Sequence, residues 1–189
     1  MKARPWHAVP VALLALRVLS AAAADVPTDS LYQLKAPLVA QDGKAIGLDV
    51  YRGQPVLVTM FYASCQATCP LIIDTLRAVE KQLPADQQKK VRVLLVSIDP
   101  ARDTPEALAT TARERRVDTT RWTLAHADER TVRLVAAALG VQYRQLPSGE
   151  FSHATQISVL DAQGKIVAQS DQLGRADEKL VKAIGTAAR

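Results

Sequence analysis

The chain has two cysteines in 189 residues and lacks an internal repeat, a low-complexity tract, a dividing linker and an apolar run long enough to span a bilayer comfortably. With so few thiols, thiolate chemistry is confined to Cys65 and Cys69, four positions apart in Phe61-Tyr62-Ala63-Ser64-Cys65-Gln66-Ala67-Thr68-Cys69-Pro70. Without repeats or linkers the chain reads as one globular unit. The longest apolar run, residues 9–19, is short and interrupted by Arg17. Lys2 and Arg4 precede it and the small-residue tract 20–24 follows, which is the layout of a secretory signal peptide. The expectation is export to the periplasm with removal of residues 1–24, rather than anchoring to the membrane by an uncleaved N-terminus. That leaves residues 25–189 as a single domain with room for a sizeable core.

The excess of one sign of charge is also small. The formal net charge is +5, from 24 basic and 19 acidic residues. Lys2, Arg4 and Arg17 belong to the leader, so the remainder carries 21 basic against 19 acidic residues, or +2. Nucleic acid is therefore not an expected partner, and Arg113, Arg115 and Arg116 read as a solvated helix face.

In the exported part, residues 31–50 alternate around Asp42-Gly43-Lys44 and read as a short hairpin ahead of the main sheet. Residues 55–62 are nearly continuous apolar β-formers, the pattern of a strand buried on both faces. After Cys69, Pro70 stands where a helix tolerates it, and Leu71, Ile72, Leu76, Val79 and Leu83 recur at helical spacing up to Pro84. The alternation repeats with a strand at 91–98, a helix opened by Thr104-Pro105, a strand at 122–125 and a helix at 128–139 closed by Gly140. Two strand-like runs, 155–160 and 165–169, flank the turn Asp161-Ala162-Gln163-Gly164, and a last helix covers 177–184. A βαβ half joined to a ββα half, with the thiols at the first strand-to-helix junction, is the thioredoxin-like arrangement. The expected fold is α/β, a central mixed sheet flanked by helices, with an N-terminal β-hairpin extension.

Several stretches together resemble the Sco/SenC family. They are the aromatic followed by Cys-x-x-x-Cys-Pro at 62–70, Val96-Ser97-Ile98-Asp99-Pro100-Ala101-Arg102-Asp103-Thr104-Pro105, Leu139-Gly140-Val141-Gln142-Tyr143, and Phe151-Ser152-His153 before a strand ending Leu160-Asp161. The resemblance runs from about Pro37 to Val167. It implies a thioredoxin-like copper-binding chaperone that helps assemble the dinuclear copper centre of cytochrome c oxidase. It also implies Cys65 and Cys69 as thiolate ligands and His153 as the imidazole ligand. The implied partners are the copper-bearing subunit of that oxidase or another copper acceptor, a periplasmic copper donor and a thiol reductant.

The donor set suits that metal: copper(I) prefers thiolates, and adding an imidazole nitrogen accommodates copper(II). Zinc with a water is a competing occupant, although two cysteines and one histidine do not close a structural zinc site. An exported setting also permits a Cys65–Cys69 disulfide when no metal is bound.

Two enzymatic alternatives remain. In a thiol-disulfide oxidoreductase, Cys65 and Cys69 would be the redox-active catalytic pair; against it, Ala154 and Thr155 stand where such enzymes resemble one another in a proline facing the thiols. A thiol peroxidase would need an arginine near one activated cysteine, with Arg52 and Arg77 as candidates.

Among other residues, His126 and Met60 read as structural, Tyr62 as packing, and Asp103 with Glu106 as helix capping. Asp99 reads equally as a functional group or as a loop carboxylate fixing the turn at Pro100. The chain departs from the family at Gln66 and Ser152, both beside expected ligands, where a changed neighbour alters ring orientation and metal affinity.

Overall fold

The computed structural model describes residues 27–65 and 68–189. The expected leader, Gln66 and the side chains of Thr68 and Cys69 lie outside the described residues.

The sheet is built around β3 (Val56–Phe61) and β4 (Arg92–Ser97). All six residues of β3 are buried, as its unbroken run of β-formers requires of a strand covered on both faces. β3 pairs in parallel with β4 from Val56↔Arg92 to Phe61↔Ser97, and β4 in parallel with β5 (Trp122–His126). Beyond β5 lie β1 (Leu38–Ala40) and β2 (Ala45–Ile46); beyond β3 lie β8 (Ile157–Leu160) and β9 (Ile166–Ser170), all joined antiparallel. The order is β2-β1-β5-β4-β3-β8-β9. The mixed sheet expected from sequence is present, and the N-terminal hairpin continues it at one edge, with Val39 opposite His126.

Helix α1 (Thr68–Lys81) buries Ile72, Ile73, Leu76 and Val79. Leu71, placed on the inward stripe by its spacing, is 41% exposed, and Ile73 takes the inward position instead. α2 (Ala85–Lys90), absent from the sequence reading, buries no side chain and so has no periodic signature. α3 (Pro105–Glu114), α4 (Glu129–Leu139) and α5 (Glu178–Ala187) are capped by Thr104, Asp128 and Asp177, whose side chains accept backbone N–H groups of the first turn. Gly140, in the left-handed region at φ 71°, ends α4. α1 lies between its neighbours: the Arg77 guanidinium donates to the carbonyls of Arg115 and Arg116 at the end of α3, and α1 packs along α5.

The segment before β8 forms a separate two-stranded sheet, β6 (Tyr143–Gln145) with β7 (Phe151–His153). Sequence reading treats this segment as a lead-in to the next strand. Because β3, β4 and β5 run parallel, the loops leaving all three open at one edge of the sheet. β8 runs antiparallel to β3, with Val58 opposite Ser158, so its beginning meets the same edge. The topology thus brings the thiol loop, the β4–α3 loop and the β6–β7 hairpin to one place, as parallel sheets commonly do with their binding sites.

Candidate metal centre

Past the end of β3 the chain turns through Tyr62, and the Cys65 N–H donates to the Tyr62 carbonyl at 3.3 Å. Cys65 is 8% exposed. Cys69 is the second residue of α1.

Asp103, reaching across from the β4–α3 loop, holds this thiol loop. Its Oδ2 accepts the Ala63 N–H at 2.9 Å and the Ser97 hydroxyl at 2.5 Å. Asp103 is 2% exposed, and burial pushes its carboxyl above the usual range against the lowering effect of those two donors. The capping role expected of Asp103 belongs to Thr104, because the aspartate side chain is turned back toward Ser97 and Ala63. Asp99, 1% exposed, has a carboxylate paired with Arg102 Nε, and its N–H donates to Ser97 Oγ at 3.0 Å, which favours the loop reading of this residue. A ring nitrogen of His126 lies 3.0 Å from the Asp103 carbonyl, and Met60 is core, in keeping with structural roles for both.

His153 ends β7 opposite Tyr143. It is half-buried, and burial lowers its imidazole below the ordinary histidine value, which favours the neutral, ligating form. Nδ1 lies 3.3 Å from the Ala154 carbonyl. A surface cavity of about 300 Å³ lined by Gln142, Tyr143, Arg144, Ser152, His153 and Ala154 opens beside the ring.

Tyr62 joins the two halves. Its ring meets His153 edge-on at 5.9 Å between centroids and Phe151 at 5.5 Å, and Phe151 in turn meets Tyr143 at 6.3 Å. Its hydroxyl lies 3.4 Å from the Phe151 carbonyl; burial first, then the neighbouring Cys65, push the phenol pKa upward. One tyrosine therefore touches both Cys65 and His153, residues 88 positions apart. Among the described residues, which omit the Cys69 side chain, no three His, Cys, Asp or Glu side chains gather as a metal-binding group. The aromatic wall of Phe151 and Tyr143 escaped the sequence reading. Its signal was the period-two pattern on either side of Pro147-Ser148-Gly149, which places Tyr143, Phe151 and His153 on one face of a hairpin.

Removing the Tyr62 hydroxyl while keeping the ring isolates its polar contribution. Tyr62→Phe is expected to lower stability by about 1 kcal/mol, the ordinary net worth of a hydrogen bond, read as a shift in urea midpoint.

The model of the SCO1/SenC family matches residues 28–189. A SCO1 protein homolog of Bacillus subtilis is 31% identical over 68 residues, covering 36% of this chain and 35% of its own length. The matches span just over a third of the curated relatives they reach, at 36% and 35%. Among solved structures, ScoI of Bradyrhizobium japonicum with copper bound is 22% identical, with a TM-score of 0.68 over 80% of this chain and 96% of that one. BsSco, a member of the Sco family of cytochrome c oxidase assembly proteins in which a disulfide switch was identified, is 20% identical, with a TM-score of 0.67 over 80% and 90% of the two chains. These likenesses support the thioredoxin-like fold of this mixed sheet, and with 162 of its 189 residues inside the family match, the chain belongs to the SCO1/SenC family.

Proposed function

We propose that this protein is an exported copper chaperone that holds one copper ion as cargo through Cys65, Cys69 and His153 and delivers it during assembly of the copper centre of cytochrome c oxidase. The observation that carries the reading is the simultaneous contact of Tyr62 with Cys65 and His153, which gives the thiol loop and the imidazole a common wall. Membership of the family supports copper as the metal and the oxidase as the destination. The donor set fits it: two soft thiolates suit copper(I), and a neutral, half-buried imidazole adds the nitrogen that copper(II) accepts. The surface cavity beside His153 supports access of an acceptor protein to the imidazole, as transfer by ligand exchange requires. Lys2, Arg4 and the apolar run 9–19 supply the export signal, with cleavage after Ala24 placing the mature chain in the periplasm.

The test is metal analysis of protein purified from copper-supplemented periplasm. About one copper per chain is expected, largely lost in His153→Ala. Unchanged copper retention in that variant would contradict the proposed ligand set. Turnover of a dithiol substrate that is lost in Cys65→Ser but indifferent to His153→Ala would favour an oxidoreductase instead.

A further inference from the structure

The β6–β7 hairpin that carries His153 forms its own small sheet, so the ladder of the main sheet does not hold it. Among the described residues, two side chains from outside the hairpin hydrogen-bond to it. Tyr62 contacts the Phe151 carbonyl at the long distance of 3.4 Å, and the Arg102 guanidinium donates to the Gly149 carbonyl at 2.7 Å. Gly149 stands in the turn at φ 83°, a conformation that favours glycine. The turn itself is closed by Gly149 N–H to Leu146 O at 2.9 Å and Leu146 N–H to Glu150 O at 2.7 Å.

The other arm of Arg102 is fixed. Its Nε pairs with the buried Asp99 carboxylate, whose own N–H donates to Ser97 Oγ. The Ser97 hydroxyl donates to Asp103 Oδ2, which also accepts the N–H of Ala63 in the thiol loop. A continuous series of hydrogen bonds thus runs from the loop bearing Cys65, through Asp103, Ser97, Asp99 and Arg102, to the hairpin bearing His153. A planar fork with several donors suits a residue that must engage a carboxylate and a carbonyl at once.

We infer that Arg102 is a positioning residue: it latches the hairpin to the β4–α3 loop and so sets His153 against the thiols. This rests on the proposed ligand set. The latch acts on the imidazole alone, so it governs the affinity for copper(II), which draws on nitrogen, more than that for copper(I), which the thiolates satisfy.

Arg102→Gln keeps an amide donor for Asp99 but is too short to reach Gly149 as well. In the copper-free variant, amides of residues 143–153 are expected to exchange with deuterium about tenfold faster than in the wild type, with β3 and β4 unchanged. Copper(II) affinity should fall about tenfold, the scale of other outer-sphere losses, with a changed nitrogen signature in the electron paramagnetic spectrum. Copper(I) affinity should stay within about twofold. Arg102→Ala should move each readout in the same direction and further. Unchanged hairpin exchange in both variants would overturn the latch, and so would faster exchange with copper(II) affinity unchanged. The exchange measurement needs no metal, so it decides the latch even if the wild type failed to bind copper, an outcome that would instead refute the proposed function.

Discussion

Cys65→Ser is expected to fold as the wild type does and to bind copper more than about a hundredfold more weakly, since losing a ligand should exceed the ~10–100-fold cost of losing an outer-sphere partner. The exchange replaces one small side chain by another of similar size at a buried site, so little volume is lost. A soft thiolate becomes a hard hydroxyl that copper(I) does not favour. Competition titration with a copper(I) chelator measures the change, and a thermal melt checks the fold. Affinity within tenfold of the wild type would remove Cys65 from the ligand set.

The second large effect is expected at Asp103. In Asp103→Ala the Ala63 N–H and the Ser97 hydroxyl both lose the oxygen they share, at a site almost closed to water. Leaving two buried donors unmade should cost about 3 kcal/mol, seen as a lower urea midpoint. The loss should also loosen the thiol loop, so Cys65 should react faster with a thiol reagent. Asp103→Asn keeps an acceptor and separates charge from hydrogen bonding. Burial raises the folded carboxyl above its unfolded value, so the native state favours the protonated form. Its stabilising contribution is full below the unfolded pKa of about 3.9 and is lost as pH rises through the folded value. Asp103→Asn should therefore remove part of the decline in stability with rising pH in that acidic window. An identical slope in variant and wild type would show that the Asp103 carboxyl does not carry it.

The centre of the sheet was readable from sequence because its strands are buried on both faces. Residues 56–61 and 93–98 have no polar face to mislead, and the caps Thr104, Asp128 and Asp177 mark helix starts. Where few side chains are buried, the pattern disappears. The six residues of α2 and the three-residue strands β6 and β7 are short and largely exposed, so their structure comes from turn geometry and neighbouring groups.

Cysteine and histidine could be singled out as candidate ligands by residue type, helped by the family resemblance. The framework that positions them could not. Asp103 is a polar residue ahead of a helix, for which capping is the simplest local reading; only the tertiary approach of Ala63 and Ser97 assigns it to the thiol loop. Arg102 gives no periodic signal, because its two partners, Asp99 and Gly149, lie on elements far apart in the chain. Tyr62 was read as packing. It does pack against Phe151 and His153, and its hydroxyl reaches the Phe151 carbonyl with Cys65 as a neighbour.

The measurement that bears most directly on the proposed copper centre is an anaerobic titration of the fully reduced protein with copper(II), followed by visible absorption, in the wild type and His153→Ala. The proposed three-ligand site predicts a thiolate-to-copper(II) charge-transfer band that saturates at about one copper per chain and is shifted or lost in the variant. No band, or a band indifferent to His153 accompanied by reversible oxidation of the thiols, would contradict it.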